Sequence, residues 1–212
     1  MIEFLKQLTD PQSIIQYGGL ALLLFVVFAE TGLLIGFFLP GDSLIFISGM
    51  FCVSKPELLG VNILVLILLL SAAAILGNMV GYWFGKKVGP PLFNRKDSFI
   101  FKKRYLEVTR EFYTKNGGKT LILGRFLPII RTFAPILAGV IKIDFKKFMV
   151  YNVLGAFAWI GLLASIGYYL GTYLWVQENV EYIVIGLIVI TIFPIISAFK
   201  KKNKENDPTT NG

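Results

Sequence analysis

Apolar runs dominate this chain, and their lengths set its architecture. Four are long. Residues 18–39 are apolar except for Glu30. Residues 61–85 and 148–176 carry no charge, and neither do 182–199, which end at Lys200. A helix needs about 20 apolar residues to cross the hydrocarbon of a bilayer. The second and third runs exceed that length, and the fourth just reaches it. Two further stretches are too short and too interrupted to span alone. Residues 42–53 follow the helix-breaking pair Pro40-Gly41. Residues 121–140 contain Pro128, Pro135, Arg125 and Arg131. Proline removes a backbone donor and clashes with the preceding turn. At membrane depth, protein groups or cavity water must satisfy that defect. The pattern predicts an all-α, polytopic integral membrane protein. It has two re-entrant, broken helices facing each other across a polar cavity, and about three to four full transmembrane helices.

Composition agrees. Of 212 residues, 55% are hydrophobic and 16% charged, too little polar surface for a soluble domain of this size. The length suits a single membrane domain over 1–212. The net charge of +8 follows the apolar runs. Its basic residues lie between and after them, and no separate basic, aromatic-interleaved module suggests nucleic acid. Residues 86–119 hold ten of them, from Lys86 to Lys119, and the positive-inside rule assigns this segment to the cytoplasm. Phe101, Tyr105, Val108 and Phe112 share one helical face there. This fits an amphipathic helix on the inner leaflet, or one packed on the protein's own cytoplasmic face. Lys142, Lys146 and Lys147 belong to the same side, so 121–140 must dip in and return. The acidic loop 177–181 then lies outside, and the basic, polar tail 200–212 is cytoplasmic. Residues 1–10 show no basic region and cleavage site of a signal peptide and are expected to be mature chain. The side on which they lie is open.

Chemistry is narrowed by what the chain lacks. Cys52 is the only cysteine and histidine is absent. Intramolecular disulfides, cysteine metal sites and histidine-dependent catalysis are excluded. Four charges remain at or near membrane depth: Glu30, Asp42, Arg125 and Arg131. Each costs at least about 2.5–3.5 kcal/mol to insert, so each implies a partner and a function. Two acids in the first broken region and two arginines in the second predict mutual neutralisation at mid-membrane. The guanidinium forks of Arg125 and Arg131 suit a lipid phosphate. Desolvation disfavours a charged carboxylate, which makes Glu30 and Asp42 the candidates for proton coupling. The competing expectation is that these residues form ion pairs that only hold the fold together.

Phe38-Leu39-Pro40 recurs as Phe126-Leu127-Pro128, each followed by a charge, Asp42 and Arg131. Paired broken helices that meet near the midplane occur in transporters built from inverted repeats. Pro40, Gly41, Pro128 and Pro135 are the expected helix breaks. Gly77, Gly81 and Gly85 form a small-residue stripe, a packing motif first and foremost. It is compatible with a homo-oligomer without requiring one. Asn78, Tyr82 and Asn152 are candidates to line the cavity. Trp83, Trp159, Trp175, Tyr168, Tyr169 and Tyr173 are expected to include interfacial anchors.

At these residues the sequence resembles the DedA family of membrane proteins, also called the SNARE-associated or VTT-domain family. Glu30 with Phe38-Leu39-Pro40-Gly41-Asp42 looks like the family's first motif. Gly77-Asn78 with Gly81-Tyr82 and Gly85 looks like the second. Gly124-Arg125-Phe126 with Pro128, Arg131, Pro135 and Gly139 looks like the third. The match covers about 30–152, although the family often has Glu where Asp42 stands. The resemblance implies two facing re-entrant helices in a bacterial cytoplasmic membrane. It also implies lipid transport driven or gated by protons or sodium. The lipid would be undecaprenyl phosphate or a phospholipid, with the functional charges at Glu30, Asp42, Arg125 and Arg131. No catalytic residue, metal or other cofactor is expected. The alternatives are a small-ion or drug/proton antiporter and a structural membrane-homeostasis factor. A lipid phosphatase is disfavoured by the absence of histidine.

Overall fold

The computed structural model describes residues 11–33, 39–93, 122, 125 and 128–186. The proposed amphipathic segment beyond residue 93, most of the run 182–199, the tail 200–212 and residues 1–10 lie outside the described residues. The described chain is all-helical. Its helices are α1 (Pro11–Gly32), α2 (Gly41–Ser54), α3 (Pro56–Leu59), α4 (Ile63–Phe93), α5 (Pro128–Val140), α6 (Phe145–Leu170) and α7 (Leu174–Glu178). Residues 180–186 are helical as well.

Among the described residues, two helices have the length and composition to cross a bilayer, Ile63–Val88 within α4 and Phe145–Leu170, which is α6. At 26 residues each they rise about 39 Å, against about 30 Å of hydrocarbon. Each presents large apolar side chains outward: Leu64, Leu68, Leu76 and Val80 on α4, and Val150, Leu154, Leu162 and Ile166 on α6. A continuous outward apolar face suits lipid and not water.

The apolar run 18–39 is not one long helix. Gly19, at φ 54° and ψ −150°, kinks α1 in a region that side chains other than glycine rarely adopt, and α1 ends at Gly32. The expected run 148–176 is likewise divided. It begins earlier, at Phe145, where Asp144 caps the helix by accepting from Lys147 N at 3.0 Å. It stops at Leu170, because Gly171–Tyr173 turns the chain into the short α7. The uncharged run expected to end at residue 85 continues as helix into the basic segment, since α4 runs to Phe93. Lysines are good helix formers and do not end it.

The short α2 is the centre of the fold. Gly41 and every residue from Ser43 to Phe51 are buried, so the helix is enclosed on all sides. It packs mainly on α6 and also on α1. α4 packs on α1, α5 and α6. The glycine stripe on α4 is used for close helix approach. A Cβ on Gly32 would meet Gly77 Cα at 2.8 Å, and one on Gly85 would meet the Ile136 carbonyl carbon at 2.8 Å. α5 ends in a left-handed cap at Lys142 (φ 55°). There Ile143 N donates to Ala138 O at 3.0 Å, closing the turn into α6.

Candidate functional site

Arg131, on the first turns of α5, is 3% exposed and is gripped by two acids. Its Nη2 donates to Glu30 Oε1 on α1, and its Nη1 donates to Asp42 Oδ1 on α2 at 2.6 Å. Trp159 of α6 completes the enclosure. Its Nε1 donates to the same Asp42 Oδ1 at 3.0 Å, and its ring centroid lies 4.3 Å from the guanidinium carbon. Thr132 Oγ1 donates to the Glu30 carbonyl at 3.4 Å. Accessibility is graded, with the Glu30 side chain 4% exposed and that of Asp42 19% exposed. Asp42 is therefore the open edge of the cluster. Glu30 Oε2 and Arg131 Nε are buried with no hydrogen-bond partner among the described residues.

The cluster sits half-way along α6, since Trp159 is the fifteenth of its 26 residues. From this level the two short helices diverge. α2 runs toward the α6 C-terminus, where Met50 lies under Gly171. α5 runs toward the other end, where Gly139 lies against Tyr82 and Lys86 of α4. Both helix N-termini therefore point inward at the charged cluster, bringing the positive ends of two helix dipoles to its carboxylates. Pro40 and Pro128 do not interrupt these helices. Pro40 is the N-cap of α2 and Pro128 the first residue of α5, where a missing N–H costs nothing; of the three expected proline breaks, Pro135 alone lies within its helix. The α2 N-terminus is glycine for a local reason: a Cβ at Gly41 would fall on the Glu30 carboxylate.

Arg125 is 2% exposed and belongs to a second polar group. Its Nη2 donates to the Asn152 carbonyl at 3.0 Å and also to Asn152 Oδ1. Asn78 Nδ2 donates to Asn152 Oδ1 at 2.8 Å. With its amide swapped, Asn78 instead donates to the Thr31 carbonyl at 3.0 Å and accepts from Arg125 Nη2 at 2.6 Å. Among the described residues Arg125 has no carboxylate partner, and its Nη1 is buried without a hydrogen bond.

The VTT domain model matches residues 39–169, which is more than half of the chain. The chain is 44% identical over 174 residues to Protein DedA of Escherichia coli K12, covering 82% of this chain and 78% of that one. The chain belongs to the DedA family.

Other relatives are described as membrane proteins. One is an uncharacterized membrane protein of Mycobacterium leprae, 34% identical over 89% of this chain and 82% of its own length. Another is the inner membrane protein YqjA of Escherichia coli K12, 32% identical over 78% of this chain and 73% of its own. No solved structure matches the chain. This DedA-family chain is thus a membrane protein, in keeping with its outward apolar faces.

The DedA-family motifs meet in space as two groups and not as one. Glu30, Asp42 and Arg131 share one cluster, but both acids go to a single arginine. Arg125 goes to Asn78 and Asn152. Tyr82 joins neither group: its hydroxyl donates to the Ile143 carbonyl at 2.6 Å and its ring stacks on Phe148 at 4.7 Å. Of the aromatic residues expected to include interfacial anchors, Trp159 is the one that is buried. It is 2% exposed, whereas Trp83, Trp175, Tyr168, Tyr169 and Tyr173 are all exposed. Its place midway along an uncharged run was the available signal, because interfacial anchors sit near the ends of spans.

Proposed function

We propose that this DedA-family protein carries a lipid phosphate across the bilayer, as a transporter or flippase coupled to protons or sodium. The lipid is undecaprenyl phosphate or a phospholipid. The observation that carries the reading is the shared pairing of Arg131 with Glu30 and Asp42. A guanidinium gripped by two acids holds, when both are ionised, one surplus negative charge at depth. Such a surplus is costly in hydrocarbon, and a proton or a sodium ion cancels it. A phosphate that approaches Arg131 competes with the carboxylates for the same N–H groups, and a displaced carboxylate takes up a proton. Lipid binding and proton uptake are thereby linked. Arg125, with no carboxylate partner among the described residues, is the second phosphate ligand.

The two short helices support the same reading. At 14 and 13 residues, α2 and α5 rise only about 20 Å, so they serve as re-entrant elements that reach the middle of the bilayer from opposite sides. Irregular backbone at that depth is tolerated only where protein or a cavity surrounds it. The protein lies in a bacterial cytoplasmic membrane. Lys86, Lys87, Lys142, Lys146 and Lys147 face the cytoplasm, and so does the C-terminus.

The test is translocation in proteoliposomes of purified protein. Labelled undecaprenyl phosphate and a labelled phospholipid are followed with and without pH and sodium gradients. Movement of one label, faster with one gradient, is the expected result and names both substrate and coupling ion. Failure to move either label under any gradient would overturn the proposal. Vesicle uptake of small cations and drugs in the same preparation distinguishes an antiporter.

A further inference from the structure

Trp159 sits on α6, the helix that brings no charge to the cluster, yet it touches both members of one ion pair. Its N–H donates to Asp42 Oδ1, the oxygen that also accepts from Arg131, and its ring covers the guanidinium face. We infer that Trp159 is a positioning residue that holds Asp42 and Arg131 in place while the pair between them opens and closes. The inference rests on the lipid-phosphate reading above.

Separating a buried pair is costly because each partner is left alone in a poorly solvating interior. Trp159 reduces that cost on both sides. When Arg131 turns toward phosphate, Asp42 loses one donor and keeps the indole N–H. The guanidinium loses one carboxylate and keeps an aromatic face. Glu30 has no such reserve contact on its carboxylate: Oε2 has no hydrogen-bond partner among the described residues. Asp42 is also the more exposed acid, at 19% against 4%. The Asp42–Arg131 half of the cluster is therefore the half that opens during each cycle. Trp159 acts on how fast it opens and not on how tightly lipid binds.

The experiment replaces Trp159 in the full chain with benzothienylalanine, which keeps the shape and the ring face and puts sulfur in place of the N–H. Trp159→Phe is measured beside it. In proteoliposomes, the maximal rate for the lipid that wild type moves is expected to fall about tenfold. The half-saturating lipid concentration is expected to stay within about twofold. A maximal rate equal to wild type overturns the inference, and so does a loss confined to affinity. A readout independent of lipid is the fluorine NMR signal of 5-fluorotryptophan placed at position 159. It is expected to shift in both Asp42→Leu and Arg131→Gln, and a signal unmoved in both overturns the inference. If wild type moves no lipid, the transport reading falls, and this signal alone decides whether Trp159 holds the pair.

Discussion

Arg131 and Glu30 are joined across 101 residues of chain, and both side chains are almost completely buried. The bond ties α5 to α1, and Asp42 ties the same guanidinium to α2. One side chain thus links three helices. Removing it leaves two acids facing each other in an apolar interior. Arg131→Ala is expected to lower stability by about 3–5 kcal/mol, the cost of breaking a buried pair from one side. The double variant with Glu30→Gln is expected to recover part of that loss. Thermal unfolding in detergent, read for both single variants and the double, measures the coupling.

Gly41 gives a second prediction. A Cβ at this position falls on the Glu30 carboxylate, so Gly41→Ala must push Glu30 off its bond to Arg131. Translocation is expected to drop about 10- to 100-fold, as for other small displacements of a working group. Gly161→Ala is the control, because nothing lies within 4 Å of its added Cβ. That change is expected to leave translocation intact and to add up to about 1 kcal/mol of stability.

The Arg125 group separates structure from function at a third position. Asn152→Leu removes an amide that accepts from Arg125, and a loss of about 1–3 kcal/mol is expected. Asn152→Asp keeps the shape and sets a carboxylate beside Arg125. Stability is then expected to stay within about 1 kcal/mol of wild type, while translocation is lost because the new acid occupies the phosphate ligand. A melting curve and a translocation assay on the same preparation read both effects.

Much of this arrangement was legible in the sequence. Glu30, Asp42, Arg125 and Arg131 stood out because charge inside apolar segments demands a partner, and Pro40-Gly41 and Pro128 marked where the short helices begin. The pairing itself was not legible. Which acid meets which arginine depends on the rotation of helices separated by 89 and 101 residues, and nothing local records that. Trp159 was grouped with the aromatic residues expected to include interfacial anchors, although its place midway along an uncharged run set it apart from those near the span ends. The early end of α6 was missed because Gly171 lies within a run that stays apolar to Val176, and hydropathy is blind to a turn made of apolar residues.

The helix contacts yield a fourth prediction. Gly85→Ala would press a methyl group into the backbone of Ile136, and α4 and α5 would have to part. A loss of about 1–3 kcal/mol is expected, as for other overpacked sites. Because α5 carries Arg131, translocation should fall with it, and a melting curve beside the translocation assay checks both.

The central claim is that a lipid phosphate takes Arg131 from its carboxylates, and proton uptake on binding tests it most directly. Purified protein in weakly buffered detergent near pH 8 is mixed with undecaprenyl phosphate, and a pH indicator counts the protons taken up. The account predicts uptake of about one proton per lipid bound by wild type, and clearly less by Asp42→Asn, which lacks the carboxylate that leaves Arg131. Saturable lipid binding by wild type with no proton uptake would contradict it, since the carboxylates would then have stayed on Arg131 throughout.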